Sequence, residues 1–145
     1  MPMPFGSSVL DAACRLLIPF ILLFALYVVT HGHYSPGGGF QGGAMLAAAI
    51  ILTRLVRGQA SLWGLHGIAA LRLACCGVGL FAGIGFLSLL LARNYLDYAA
   101  LPLALAPGTV RAIGSFGAEV GIAIGVTGVL VLIFDALIAW EEEEE

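Results

Sequence analysis

A single long run of uncharged residues limits what this chain can fold into. Between Arg15 and Arg54 lie 38 residues without one Asp, Glu, Lys or Arg. A membrane-spanning helix needs only about 20 predominantly apolar residues, whereas soluble domains carry about 25% charged residues. Over all 145 residues the charged fraction is 10% and the hydrophobic fraction is 61%. These values predict an integral membrane protein and exclude a soluble enzyme, a disordered chain and a nucleic-acid-binding protein with a basic face.

Four apolar blocks predict an all-α integral membrane fold with about four transmembrane helices. The chain is predicted to be a single membrane domain, residues 1–145, with spans at residues 10–30, 41–57, 72–92 and 112–138 and a solvated acidic tail at 141–145. The first two blocks are too short to cross about 30 Å of hydrocarbon unless they extend past charged residues. Part of the segment between them is therefore expected at membrane depth, as a glycine-rich re-entrant-like loop.

The distribution of arginine predicts the orientation of the chain. Cytoplasmic segments of membrane proteins carry an excess of Lys and Arg. The side shared by the N-terminus and the second loop holds four Arg and the opposite side holds two: Arg15, Arg54, Arg57 and Arg72 against Arg93 and Arg111. Both ends of the chain are therefore expected in the cytoplasm.

The most unusual segment is HGHYSPGGGFQGG, residues 31–43, which holds six of the twenty glycines. A proline followed by three glycines is incompatible with a stable helix interior. Two interpretations stay open. In one, the glycines serve only close packing in a tight loop; in the other, the loop presents backbone carbonyls and amides to an ion or water path. The second interpretation singles out His31, His33, Pro36, Gly37, Gly38, Gly39 and Phe40.

Together with the small apolar run AMLAAAIIL that follows it, this segment resembles the MnhB (MrpB) family. Members of that family are small membrane subunits of Mrp-type multisubunit cation/proton antiporters. The later segment PGTVRAIGSFGAEVG, residues 107–121, is similar to the family's second region. There a loop leads into a glycine-rich last helix with an acidic residue, which Glu119 matches. The short loop after Arg93 and the acidic tail depart from the family pattern.

The resemblance implies a non-catalytic subunit of a hetero-oligomeric complex in the prokaryotic cytoplasmic membrane. Its implied partners are large antiporter subunits similar to those of respiratory complex I, in addition to the lipid bilayer. Its implied role is to contribute to the pathway of the transported Na+ and H+ and to assembly, with no cofactor in this chain. A related alternative is the homologous subunit of an energy-converting membrane-bound hydrogenase or similar redox complex.

Glu119 is the strongest candidate for an ion-pathway residue, because a carboxylate within a spanning helix is costly and marks a functional site by default. A stripe of small residues shares one face of the same helix: Gly114, Gly117, Gly121, Gly125 and Gly128. At about 100° per residue, Glu119 points about 160° away from the centre of that stripe. One face is therefore expected to pack closely on a helix, and the other to be covered by a neighbouring subunit or a wet cavity. A neutral or Arg-paired structural carboxyl is the alternative. On the third span, Gly79 and Gly83 form a GxxxG pair that predicts another packing face.

Asp135 and Arg54 are weaker candidates. Asp135 lies about 24 Å further along the helix than Glu119 and is expected to form a salt bridge or sit at the interface. Arg54 is expected to snorkel to the interface or, alternatively, to pair with a carboxylate of another subunit. His31 and His33 supply too few ligands for a metal site, so a self-sufficient membrane enzyme or metal transporter fits less well than a complex subunit. A purely structural scaffold is the remaining alternative.

Overall fold

Four long helices make up most of the described chain. The computed structural model describes residues 8–32, 38–57, 65–91 and 94–143. Within these ranges the chain forms no strand, and its helices span Ser8–His31 (α1), Gly39–Arg57 (α2), Ile68–Leu90 (α3) and Pro107–Glu143 (α4), with a short 3-10 turn at Tyr98–Ala100. Each of the four helices is long and apolar enough to cross a membrane. The predicted all-α membrane fold is confirmed.

All four helices begin earlier than the predicted spans, and the difference is largest for the last two. α3 begins at Ile68 rather than at residue 72, and α4 begins at Pro107 rather than at residue 112. Proline suits the first position of a helix, because its missing N–H has no intrahelical acceptor there and its fixed φ is already helical. The polar residues Thr109 and Arg111, which interrupt the apolar pattern, therefore belong to the first turns of α4.

The glycine-rich segment is helical at its end. Because α2 begins at Gly39, both Gly42 and Gly43 lie within a helix, as the predicted span at residues 41–57 implies. Close packing excludes a side chain at both positions. A Cβ on Gly42 would overlap Val29 of α1, and a Cβ on Gly43 would lie 2.6 Å from the carbonyl oxygen of Ala123 in α4. Tight packing of α2 between α1 and α4 therefore accounts for these two glycines.

α4 is the central helix of the bundle. It packs against α3 on one side and against α2 on the other, while α1 packs mainly against α2. Buried apolar residues fill two seams, Cys14, Ile18, Ala49 and Val56 between α1 and α2, and Ala47, Ile50, Ala70 and Val131 among α2, α3 and α4. Both faces of α4 thus have packing partners within this chain, whereas a neighbouring subunit or a wet cavity was expected to cover the face of Glu119.

The glycine stripe of α4 packs against α3, as predicted. A Cβ on Gly121 would lie 2.9 Å from the backbone nitrogen of Phe81 in α3. On α3, the closest approach is made by Gly77, where a Cβ would overlap the backbone of Gly125. Small residues on both helices therefore bring the two backbones into direct contact, as is common between membrane helices.

The GxxxG pair of α3 does not take part in this contact. No other part of the described chain lies within 4 Å of a Cβ placed on Gly79 or Gly83. Within the described residues, this pair therefore forms no packing face. The register of the α3–α4 contact is set by Gly77 and Gly121 instead.

Glycines at the contact of α3 with α4 and glycines in open space predict opposite effects of adding a methyl group. Replacing Gly77 by Ala is expected to destabilise the chain by about 1–3 kcal/mol, because the new Cβ meets backbone that cannot move aside. The matched change Gly79→Ala places its methyl group in open space, and it is expected to be neutral or to stabilise α3 by up to about 1 kcal/mol. The unfolding temperatures of the two purified chains measure this difference. Equal destabilisation by both changes would contradict the packing.

Candidate functional site

Glu119 lies on the face of α4 opposite the glycine stripe, where it meets the beginning of α2. A Cβ on Gly38 would lie 3.4 Å from both the Cδ and the Oε2 of Glu119. At Gly39 a Cβ would overlap the carbonyl oxygen of Glu119, so only glycine permits this approach of the two backbones. The structure thus brings together the acidic residue and the glycine-rich segment, which are far apart in the sequence.

α3 provides a measure of how deep Glu119 lies. Ile84 of α3 contacts α4 at Gly117, where a Cβ would lie 3.0 Å from the Cδ1 of Ile84. α3 continues from Ile84 to Leu90, about 9 Å further, and Glu119 lies about 3 Å beyond Gly117 in the opposite direction. Glu119 is therefore about 12 Å inside the end of a helix that is long enough to span a membrane. This depth is within the hydrocarbon core of a bilayer.

The carboxyl group of Glu119 adjoins the N-terminal end of α2. The N–H of Gly42 donates to the carbonyl oxygen of Gly38 at 2.9 Å. The N–H groups of the turn before Gly42 therefore have no acceptor within the helix. These groups and the helix dipole favour a negative charge at this position. The arrangement stabilises a carboxylate, while the same dipole disfavours a bound metal cation.

A small open pocket adjoins the carboxyl group. It has a volume of about 360 Å³ and is lined by Gly38, Gly39, Phe40, Gln41 and Glu119. Because one water molecule takes up about 30 Å³ of liquid volume, the pocket admits several waters. Gln41 adds a polar side chain to the lining, whereas Phe40 is 65% exposed and also lines an apolar groove between α3 and α4.

Tyr98 is a residue near the site that the sequence did not indicate. It begins the 3-10 turn before α4 and packs on Gly114, where a Cβ would lie 2.7 Å from the Cβ of Tyr98. Burial raises the pKa of Tyr98 above its usual value, and the nearby charges of Glu119 and Tyr95 raise this pKa further. The phenol therefore stays protonated at neutral pH, and its hydroxyl group is available as a hydrogen-bond donor.

The structure places the other predicted residues of the glycine-rich segment in different surroundings. His31 is the last residue of α1, is exposed and stacks on Tyr27 with ring centroids 4.8 Å apart. His33, Pro36 and Gly37 lie outside the described residues. Gly38, Gly39 and Phe40 are the members of the segment that the structure brings to Glu119.

Arg54 and Asp135 form a separate ionic site at the other end of the α2–α4 seam. The Nη1 of Arg54 lies 2.5 Å from the Oδ1 of Asp135, and the two side chains are 13% and 18% exposed. The Oδ2 of Asp135 accepts a hydrogen bond of 2.7 Å from the N–H of Gly67, the residue before α3. The guanidinium of Arg54 also lies 5.1 Å from the ring centroid of Phe134.

This pair bears on two expectations from the sequence. The salt bridge expected for Asp135 is present, and its partner is in the same chain. Arg54 pairs with a carboxylate, as one of its two alternatives had it, but that carboxylate belongs to this chain and not to another subunit. The pair joins α2, α4 and the start of α3, and it lies about 24 Å from Glu119 along α4.

A metal centre has no support from the described residues. In the described ranges, no three His, Cys, Asp or Glu side chains come close enough together to hold a metal ion. Cys14 is buried between α1 and α2, and Cys75 and Cys76 are exposed on α3. The arrangement around Glu119 is instead suited to holding a proton or a negative charge.

Comparison with known proteins identifies the family. Residues 9–138 match the sequence model of a family described as a domain related to the MnhB subunit of Na+/H+ antiporter. The chain is 29% identical over 129 residues to a Na+/H+ antiporter subunit of Bacillus subtilis, a match that covers 83% of this chain and 90% of that protein. It is 40% identical over 50 residues to the corresponding antiporter subunit of Alkalihalophilus pseudofirmus, which covers 34% of this chain and 35% of that protein.

A further similarity joins the chain to an archaeal protein. Over 74 residues it is 43% identical to an uncharacterized protein of Methanocaldococcus jannaschii, and this match covers 43% of the chain but only 28% of the archaeal protein. The family match, in contrast, extends over nearly the whole chain and includes all four helices apart from their outermost residues. The chain is therefore an integral membrane protein that belongs to the MnhB family, which is related to a subunit of Na+/H+ antiporters.

Proposed function

We propose that this chain is a non-catalytic membrane subunit of an Mrp-type Na+/H+ antiporter complex and that Glu119 carries a proton on its transport path. Membership of the MnhB family and the similarity to Na+/H+ antiporter subunits support the first part. The observation that carries the second part is the contact of the Glu119 carboxyl group with the beginning of α2, about 12 Å inside the end of α3.

A proton suits this site better than a sodium ion. A carboxylate at membrane depth is costly, so it persists only where it is stabilised or where its charge is used. The N-terminus of α2 stabilises the ionised carboxyl group, whereas a sodium site is expected where carbonyl oxygens or the C-terminal ends of helices converge. Glu119 is thus placed to lose and regain a proton, and sodium is proposed to cross elsewhere in the complex.

Between its two ionic sites, the described part of the chain provides no continuous polar path, which supports the need for partners. Between Glu119 and the Arg54–Asp135 pair, the seam is filled by Ala47 and Val131, both 0% exposed, and by Ile50. The hydroxyl group of Thr127, nearby in the same seam, donates to the carbonyl oxygens of Gly43 and Ala123 at 3.1 and 2.7 Å. The proton is therefore proposed to continue into neighbouring subunits, of which the complex-I-like antiporter subunits are the proposed recipients.

The complex itself is the first thing to test. An affinity tag on this chain, expressed in the organism that encodes it, should retrieve a membrane complex that contains large antiporter subunits and exchanges Na+ for H+ in vesicles. Vesicles from cells that lack the chain should lose the exchange and recover it when the chain is supplied. Stoichiometric iron–sulfur clusters and nickel in the purified complex would instead assign the chain to a membrane-bound hydrogenase.

We also propose that both ends of the chain face the cytoplasm, from the excess of arginine at the N-terminus and second loop. In sealed vesicles of known orientation, a protease should then remove a C-terminal epitope tag only when the cytoplasmic face is exposed. Removal of the tag from the opposite face would reverse the proposed orientation.

A further inference from the structure

We propose that an open cleft between the 3-10 turn and the first turns of α4 is the water-filled route by which Glu119 exchanges its proton with the aqueous phase. We call it the tyrosine cleft, and its lining includes Asp97, Tyr98, Gly108, Arg111 and Ser115. The proposal rests on the proton-carrying role proposed for Glu119. It adds that the proton arrives from the end of the bundle where α4 begins. In the exchange, the carboxyl group gives its proton to a water molecule to form a carboxylate and hydronium, and the reverse step restores it.

One face of α4 connects the tyrosine cleft to Glu119. At about 100° per residue, Gly108, Arg111, Ser115 and Glu119 fall within an arc of about 80°. Ser115 lines the cleft, and it precedes Glu119 by one helical turn, about 6 Å along the helix axis. The inner end of the cleft is therefore one turn away from the carboxyl group.

The tyrosine cleft is large and polar enough to hold water. Its volume is about 510 Å³, many times the roughly 30 Å³ of one water molecule. Four of its lining residues carry side-chain groups that can bind water: Asp97, Tyr98, Arg111 and Ser115. Connected waters in such a cleft are sufficient to move a proton.

The wall of the cleft is fixed to α3. The hydroxyl group of Ser88 donates to the carbonyl oxygen of Asp97 at 3.2 Å. The ring of Tyr95 fills the space beside Gly85, where a Cβ would overlap it, and packs edge-on against Phe86 with centroids 5.9 Å apart. The turn that carries Tyr98 is therefore anchored by α3, and the cleft is part of the folded chain.

Tyr98 belongs both to the cleft and to the surroundings of Glu119. It lines the cleft together with Ser115. Burial and, after it, the charge of Glu119 raise the pKa of Tyr98, as expected for a phenol near that carboxyl group. Tyr98 and Ser115 thus line the same cleft, and Ser115 lies one turn from Glu119 on α4.

The charges at the mouth favour a proton route over a sodium route. Asp97 and Arg111 contribute one charge of each sign to the lining. Cation-selective entrances are instead built from rings of acidic side chains or carbonyl oxygens, which concentrate and dehydrate the ion. A mouth of mixed charge does not concentrate sodium, yet water within it still conducts protons.

Thiol labelling tests the route without relying on transport. Single cysteines are introduced at Gly108, Ser115 and Ile113 in the assembled complex, after Cys14, Cys75 and Cys76 have been replaced by Ala. Ile113 is the matched control, because it is 45% exposed at similar depth on α4 but points away from the cleft. A sulfonated, membrane-impermeant maleimide should label Gly108→Cys and Ser115→Cys from the same side of the vesicle. It should label Ile113→Cys at a rate about tenfold lower, or lower still, because a thiolate forms poorly in an apolar environment.

A blocking variant links the cleft to proton movement. Ser115→Phe should fill the inner end of the cleft and reduce proton transport by about tenfold in complexes that assemble normally, whereas Ile113→Phe should leave transport unchanged. Labelling of Ser115→Cys as slow as that of Ile113→Cys, or equal transport by the two Phe variants, would overturn the proposal. Failure of the proton-carrying role would instead appear as unchanged transport by Glu119→Gln, whatever the labelling.

Discussion

Replacing Glu119 by Gln is expected to reduce Na+-dependent proton transport by the assembled complex by about 100-fold or more, the range that a positioned proton-transferring group contributes. The amide keeps the shape of the side chain against Gly38 and Gly39 but cannot bind and release a proton. Glu119→Asp should retain part of the activity, because it keeps the carboxyl group and withdraws it by one methylene. Transport is measured in membrane vesicles as dissipation of a pH gradient on addition of Na+, after the amount of assembled complex has been determined on a native gel.

Asp11 provides the matched control for this change. Its carboxylate pairs with the Nε of Arg15 at 2.8 Å at the beginning of α1, and the side chains of Arg15 and Asp11 are 67% and 15% exposed. Because the guanidinium of Arg15 stays solvated when the pair is broken, such a pair contributes little to stability. Asp11→Asn should therefore leave both assembly and transport unchanged. Normal transport by Glu119→Gln in fully assembled complexes would contradict the proposal and favour the scaffold interpretation.

Breaking the pair of Arg54 and Asp135 is expected to destabilise the chain by about 3–5 kcal/mol, because each single change leaves a buried, uncompensated charge. Asp135→Asn leaves the guanidinium of Arg54 without a counter-ion and weakens the acceptor for the N–H of Gly67. Arg54→Met likewise leaves the carboxylate of Asp135 without a counter-ion. The unfolding temperature of the purified chain and its abundance in membranes measure both changes.

The double change Arg54→Met with Asp135→Leu separates a structural pair from a transport site. Replacing a buried ion pair by apolar residues of similar size is often neutral or stabilising, so the double variant should recover most of the stability lost by either single variant. Transport per assembled complex should stay close to that of the unchanged chain in all three variants. Stable single variants whose complexes no longer transport protons would place the pair on the pathway instead.

The features that the sequence predicted depend on composition and helical rotation. Four helices follow from apolar length, because backbone polar groups in a bilayer must be satisfied within each segment. The opposite directions of Glu119 and the glycine stripe follow from the angle of about 100° per residue, and they are confirmed by contacts of Gly121 with α3 and of Glu119 with α2.

The features that the sequence did not predict depend on contacts between distant segments. Position 43 requires glycine because Ala123 of α4 leaves no space for a side chain, a condition that the local sequence does not contain. The partner of Asp135 could not be chosen among the available arginines before the register of α2 against α4 was known. Tyr98 was likewise missed because its proximity to Glu119 arises from the packing of the 3-10 turn on Gly114.

Carbodiimide labelling of the assembled complex tests most directly whether Glu119 carries a proton at membrane depth. An apolar carbodiimide reacts with protonated carboxyl groups inside the membrane, and mass spectrometry of peptides from this chain identifies the modified residue. Glu119 is expected to be modified, because a carboxyl group that takes up and releases protons is protonated for part of the time. An unmodified Glu119, under conditions in which carboxyl groups within the membrane in neighbouring subunits react, would contradict the proposed role.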